Sequence, residues 1–268
     1  MDKNIISSKE NETIKTIKKL KDKKYRDLSN KYVIEGIKLV EESIIENAKI
    51  KKVIICEELL NLNNISREIT EYISKSEKED KAIYVTTNVF KSISEVDSPQ
   101  GIIMVMDKSN ENIDIDYNED IIVVLDDIQD PGNMGTILRT LDSIGLKQVI
   151  VSKNTVDMYN SKVIRSTMGA IFRINIFREN NIEDILNDLK SKEFKLMITS
   201  PNTKSTIYDV DYIKKVIVIG NEGNGVRQSI IDMADEKVKI PMLGNSESLN
   251  ASVATGIVLY EYVRQKLK

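Results

Sequence analysis

Apolar residues in the C-terminal half of the chain occur as short unbroken runs. Ile121 to Leu125, Gln148 to Ser152, Phe194 to Ser200, Val216 to Gly220 and Lys237 to Ile240 each read as a strand. The first of them, Ile121-Ile122-Val123-Val124-Leu125, has the continuous apolar character of a strand buried on both faces. Helical stretches fill most of the gaps, and this alternation predicts a parallel α/β sheet. In the last segment, Ser248 to Lys268, Leu249, Val253, Ile257 and Tyr260 recur at helical spacing. They predict a closing helix that packs along that stripe, with Ser248 as its N-cap.

The N-terminal half mixes charged helices with short strands at Tyr32 to Ile34, Lys52 to Ile55 and Ile83 to Val85, a pattern that fits a compact α/β or α+β module. Ile14, Ile17 and Leu20 recur every three residues inside a basic stretch. One stripe there can pack while Lys15, Lys18, Lys19, Lys21, Lys23, Lys24, Arg26 and Lys31 face a polyanion or simply water. Between the halves, Asp107 to Asp120 is acidic and Asn-rich and reads as a linker. The expected organisation is 1–106, a linker at 107–118, and 119–268.

Composition narrows the chemistry. The 268 residues include no His and a single Cys, Cys56. Imidazole bases and ligands are therefore excluded, and with them Ser-His-Asp and Cys-His catalysis and the common zinc hydrolase sites. A lone thiol makes no intrachain disulfide, which suggests a reducing, cytoplasmic compartment. No apolar run approaches the roughly 18 to 20 residues of a membrane span, and Met1-Asp2-Lys3-Asn4 carries no apolar leader. With a formal net charge of -3, any surface for nucleic acid must be local.

Candidate chemistry concentrates in three loops, each following a predicted strand. The first runs from Asp126 to Arg139 and contains Asp130-Pro131-Gly132-Asn133, a turn in which Asn133 is a good helix cap. Arg139, further along the helix, can point back toward the loop and grip a phosphate bidentately. The second reads Gly220-Asn221-Glu222-Gly223-Asn224-Gly225. Its glycine spacing is not that of a dinucleotide fingerprint, and Ile240-Pro241 stands where that fingerprint needs an acid, so NAD is disfavoured. No Walker lysine follows, which disfavours ATP as well. The third, Pro241 to Ala254, places Ser248, Asn250 and Ser252 at the start of the last helix. All three loops share the carboxyl edge of the predicted sheet, where open α/β sheets bind ligands.

Asn133, Gly135 and Arg139, then Gly220-Asn221-Glu222-Gly223-x-Gly225, then Ile240-Pro241-Met242 with Ser248-Leu249-Asn250, resemble in order and spacing the three signature motifs of the SpoU (TrmH-like) branch of the SPOUT RNA methyltransferases. Ser8, Asn11, Lys15 and Tyr32 to Gly36 resemble the start of the L30e-like substrate-binding domain that many members carry. Ser98 to Gly101 resembles its end, and Lys162 to Ser166 with Gly169-Ala170 also matches. The resemblance implies a C-terminal parallel sheet with a trefoil knot, a smaller N-terminal L30e-like α/β domain and a homodimer. It also implies S-adenosylmethionine as cofactor, no metal, and methyl transfer to a ribose 2′-hydroxyl of RNA, ribosomal RNA before transfer RNA. A non-catalytic RNA-binding protein of the same fold is the rival class.

By the same resemblance Asn133, Arg139, Glu222, Ser248 and Asn250 form the catalytic centre. Thr199, Ser200, Gly220, Asn221, Ile240, Met242 and Leu249 hold the cofactor, with Gly220, Ile240 and Leu249 acting largely through backbone atoms. A guanidinium is not deprotonated in proteins. Arg139 is therefore expected to clamp a phosphate and stabilise the forming alkoxide, while the Glu222 carboxylate or a phosphate oxygen of the substrate takes the proton.

Overall fold

The computed structural model describes residues 4–61, 65–108, 113–200, 203–246 and 248–268. Met1 to Lys3 and the middle of the expected linker, 109–112, lie outside the described residues. The chain folds as two compact units, residues 1–111 together with 157–172, and residues 112–156 together with 173–268.

The first unit is built on a five-stranded mixed sheet of β1 (Ile5–Ile6), β2 (Lys31–Glu35), β3 (Ile50–Ile55), β4 (Ala82–Val85) and β5 (Ile102–Asp107), in the order β1-β4-β3-β5-β2. β5 runs antiparallel to both β2 and β3. Ile14, Ile17 and Leu20, the predicted stripe of α1 (Glu12–Lys19) and its C-cap, are buried on one face of this sheet with Phe90 and Val105. On the other face Tyr32, Ile34, Leu39 and Met104 pack together with Ile164.

Ile164 belongs to α7 (Ser161–Thr167), in a segment that the sequence alone assigns to the C-terminal domain. The segment packs with the first unit for identifiable reasons. The Tyr159 ring lies 4.6 Å from that of Tyr32. Arg26, in α2 (Lys23–Ser29), is buried and donates to Asp157 Oδ2 from both Nε and Nη2. Its Nη1 donates to the carbonyls of Leu20 and Lys21, so a basic residue expected on the solvent side is committed to the interior.

The second unit is a six-stranded parallel sheet of β6 (Ile121–Leu125), β7 (Gln148–Ser152), β8 (Asn175–Glu179), β9 (Lys195–Thr199), β10 (Lys215–Ile219) and β11 (Glu236–Val238), in the order β11-β9-β10-β6-β7-β8. The central strands β6, β7 and β10 are buried throughout. β8 escapes sequence reading because it is an edge strand whose Arg178 and Glu179 break the apolar run. β11 is shorter than expected and ends at Val238, and Lys239 pairs instead with Thr206 in an isolated bridge. The expected linker is also more ordered than its composition suggests. Asp107 ends β5, Ile115 and Tyr117 pack on the second core, and Gln148 holds the backbone of Asp116 through two hydrogen bonds.

The last helix, α10 (Ala251–Lys266), corrects the predicted stripe. It buries Ala251, Thr255, Val258, Leu259 and Tyr262, while Val253 and Tyr260 are 50% and 54% exposed. Among the described residues, no helix is long and apolar enough to cross a membrane.

Removing the carboxylate from a buried ion pair leaves an uncompensated charge, which costs about 3 kcal/mol or more. Asp157→Asn should therefore lower the urea midpoint clearly. Lys23→Gln, which breaks the exposed pair with Asp27, should barely move it. Equal midpoints for the two variants would show that the Arg26–Asp157 pair does not anchor the 157–172 segment.

Candidate active site

β6 and β10 are neighbours in register, Leu125 opposite Ile219, so the first and second loops leave the same edge side by side. α6 (Pro131–Ser143) follows the first loop. Its N-cap is Asp130, whose carboxylate accepts from Asn133 N at 2.8 Å, with Pro131 at the first helical position. Aspartate followed by proline is the stronger start signal. Asn133 is thus not the cap but a buried residue one turn inside, and its side chain is released for other partners.

Those partners connect all three loops. Asn133 Nδ2 donates to Glu222 Oε1 at 2.9 Å, and Asn133 Oδ1 accepts from Asn250 Nδ2 at 2.8 Å. Asn250 Oδ1 in turn accepts from the backbone N–H groups of Ser252 and Val253 and from the Ser252 hydroxyl. Asn250, not Ser248, is therefore the N-cap of α10. Glu222 completes the chain by accepting from Asp130 N on Oε1 and from Gln129 N on Oε2, both at 3.2 Å. Burial by itself would raise the Glu222 carboxyl, but the Asn133 amide and the backbone N–H donors outweigh it and hold the pKa below the ordinary carboxylate value. With three N–H groups on its oxygens, Glu222 is an anchor more than a base.

The second loop is shaped by its own residues. A Cβ on Gly220 would come within 2.2 Å of the backbone of Gly225 and Val226, so glycine there is a requirement of loop closure. Gly225 takes φ +69°, a conformation that favours glycine. Asn221 pairs with Gly225 through two backbone hydrogen bonds, accepts from Gly223 N and Asn224 N on its side-chain oxygen, and donates to the Asp127 carbonyl at 2.8 Å. Asn221 therefore spends its side chain on the loop rather than leaving it for a ligand.

Arg227, Asp126 and Asp127 were not singled out in the sequence. The guanidinium of Arg227 pairs with the buried Asp126 and reaches Asp127 Oδ1 at 3.0 Å, while Arg227 N donates to Asp126 Oδ2. Asp127 also bonds the Ser152 hydroxyl at the end of β7. The signal was present as paired acids directly after a buried strand, with an arginine closing the glycine loop.

The residues expected to hold the cofactor divide by type. Thr199 ends β9 opposite Val238, and Ser200 N donates to the Val238 carbonyl. Beyond this pairing, the backbone N–H groups of Ile240, Met242 and Leu249 have no partner among the described residues. Met242 and Leu249 are 38% and 36% exposed. Free backbone donors beside exposed apolar side chains are a donor set that fits an adenine ring and its ribose, and these residues would hold S-adenosylmethionine.

Arg139 and Ser248 are not brought into the Glu222–Asn133–Asn250 chain. Arg139 is exposed and its side chain has no hydrogen bond or ion pair among the described residues. It lies six residues beyond Asn133, about 240° around the helix, so it faces away from the buried amide. Ser248 is likewise exposed and makes no such contact.

Comparison with known proteins gives consistent matches over nearly the whole chain. The model of the SpoU rRNA Methylase family matches residues 120–260, and that of the MRM3-like substrate binding domain matches residues 11–104. The 23S rRNA (guanosine(2553)-2'-O)-methyltransferase RlmP of Bacillus subtilis is 30% identical over 256 residues, 95% of this chain and 97% of that protein. The crystal structure of an AdoMet-bound rRNA methyltransferase from Sinorhizobium meliloti matches with a TM-score of 0.85 at 29% identity, covering 98% of each chain. A further crystal structure, of an RNA 2'-O ribose methyltransferase, matches with a TM-score of 0.82 at 27% identity and covers 98% of this chain and 99% of that one. Three loops joined through Glu222, Asn133 and Asn250 at one sheet edge, and a family model spanning the sheet that carries them, lead to one conclusion: the chain belongs to the SpoU rRNA methylase family.

Proposed function

We propose that the chain transfers the methyl group of S-adenosylmethionine to a ribose 2′-hydroxyl of ribosomal RNA, in the cytoplasm and as a homodimer. The observation that carries this reading is the hydrogen-bonded chain Glu222–Asn133–Asn250, which holds all three motif loops at the carboxyl edge of the parallel sheet. The ribosomal target rests on the similarity to the Bacillus enzyme over 95% of this chain. S-adenosylmethionine, when bound, supplies a methyl group on a sulfonium already activated for displacement. The protein's own work is then alignment of the hydroxyl, stabilisation of the alkoxide and disposal of one proton.

Glu222 is a positioning residue, because its carboxylate is occupied by three N–H donors and is a weaker base than usual. A phosphodiester oxygen is itself a poor base, so a phosphate oxygen carried by the substrate relays the proton onward to water as the hydroxyl oxygen attacks the methyl carbon. Arg139 grips that phosphate and stabilises the oxyanion. It does so across the dimer, at the partner's cofactor. Supporting this, Arg139 is free among the described residues, and α10, which packs on α6, leaves Val253 and Tyr260 half exposed for a second copy.

Mapping 2′-O-methylation across ribosomal and transfer RNA, with and without the gene, tests the substrate. Loss at one ribosomal position is expected, and a loss confined to transfer RNA would overturn the ribosomal assignment. Asn133→Ala should reduce kcat by about a hundredfold through loop misplacement, and a variant of unchanged kcat would remove the chain from the mechanism.

The lowered Glu222 pKa fixes a pH signature. A depressed carboxylate contributes stability that is present above its unfolded value of about 4.3 and lost only as the pH falls through the still lower folded value. No limb from Glu222 should therefore appear between pH 6 and 9 in the kcat/KM profile. A limb in that range abolished by Glu222→Gln would restore the carboxylate as general base.

Arg139→Ala should keep S-adenosylmethionine binding in calorimetry and lose most transfer, and Lys should rescue poorly because a point charge does not reproduce a bidentate fork. Mixing Arg139→Ala with Glu222→Ala, after confirming subunit exchange, should recover activity from the one intact composite site. Exchange without recovery would exclude the cross-dimer arrangement.

A further inference from the structure

We propose that the corner formed by α1 and α2 in the first unit holds an unpaired RNA nucleotide, with its base stacked on Tyr25 and the flanking phosphates on Lys18, Lys19 and Lys24. The proposal rests on the RNA reading above and adds the place and mode of contact.

The structure sorts the basic stretch by what each cation is doing. Lys15 pairs with Glu10 and Glu12, Lys23 pairs with Asp27, and Arg26 is buried on Asp157. The acids of the stretch are occupied as well. Asp22 caps α2 by accepting from Lys24 N at 2.9 Å, and Asp27 takes Lys108 and Lys23, whose hydrogen bonds hold its pKa below the ordinary value. Lys18 and Lys24 have no side-chain hydrogen bond or ion pair among the described residues. The Lys19 ammonium lies over the Tyr25 ring, 5.6 Å from its centroid. Free positive charge is therefore concentrated on one corner, next to an aromatic ring.

The apolar side chains of that corner point the same way. Arg26 turns α2 so that Tyr25 and Leu28, three residues apart, lie on its outer face, 38% and 74% exposed. A lysine face that only keeps a protein in solution needs no ring and no leucine beside it. A nucleotide of single-stranded RNA needs both parts, a π-face for its base and cations for its phosphates. A duplex hides its bases and would use the lysines alone. An acidic peptide would use the lysines and Leu28 with no demand on the ring.

The test uses the full-length protein, with labelled single-stranded oligoadenylate, an RNA duplex and polyglutamate as probes. Tyr25→Ala should weaken oligoadenylate binding by about tenfold, while Tyr25→Phe binds as the wild type does. Replacing Lys18, Lys19 and Lys24 together by Gln should reduce the slope of log affinity against log salt by about 2, and Lys23→Gln should change it little. Unchanged thermal midpoints establish that the variants fold. The proposal is overturned if Tyr25→Ala binds oligoadenylate normally, if the triple variant keeps the full salt slope, or if polyglutamate or the duplex binds as tightly as oligoadenylate. Methylation of ribosomal RNA by the wild type is scored separately. Tyr25-dependent oligoadenylate binding without any methylation would sink the enzymatic reading and leave the surface standing. Methylation with Tyr25-independent binding would do the reverse.

Discussion

The amide of Asn133 is the constraint on which the candidate site depends. An asparagine side chain offers a donor and an acceptor on one planar group, and here each is used on a different loop, the donor on Glu222 and the acceptor on Asn250. A carboxylate at that position could not donate to Glu222, and a lysine could not accept from Asn250. Because Asn133 is buried, neither bond competes freely with water, and both resist displacement more than exposed ones would. The chain of bonds ends at each side on backbone, at Gln129 N and Asp130 N for Glu222 and at the first turn of α10 for Asn250. The side chains of the candidate site are in this way referred to the rigid parts of the sheet unit.

A second layer holds that arrangement in place. Arg227 ties the glycine loop to Asp126 and Asp127, and Asp127 ties that point to Ser152 at the end of β7. Adjacent parallel strands deliver these residues to one edge, and the ion pairs fix the spacing between loops that the strand register alone would leave adjustable. By contrast, the side that would meet the cofactor keeps backbone N–H groups with no partner among the described residues, beside exposed apolar side chains.

Charge follows the same division of labour in the first unit. Arg26 and Lys24 are two residues apart in one helix, yet one is locked in the interior by Asp157 while the other is free among the described residues. The burial of Arg26 orients α2, and the orientation determines which neighbours reach solvent. A basic stretch that looks uniform in composition is thus two populations, one structural and one available to a polyanion.

Sequence by itself determined the central strands of the parallel sheet, the stripe of Ile14, Ile17 and Leu20, and the three loops, because apolar runs and turn residues act locally and their physics is contained in a few neighbouring positions. It also led, through resemblance, to the family. Tertiary structure decided what depends on distant partners. The stripe of Val253 and Tyr260 had helical periodicity as good as that of the face that is buried, and packing on α6 together with the Tyr262 contacts to Tyr212 and Asp120 selected between them. Asn133 and Ser248 satisfied the local rules for caps, but Asp130 and Asn250 took those places, and Asn133 became the joint between loops more than eighty residues away. Asp130 takes its cap for a local reason, the proline that follows it, whereas Asn and Ser are near-equal as caps, so the bond from Asn250 to Asn133 is enough to tip the choice at α10.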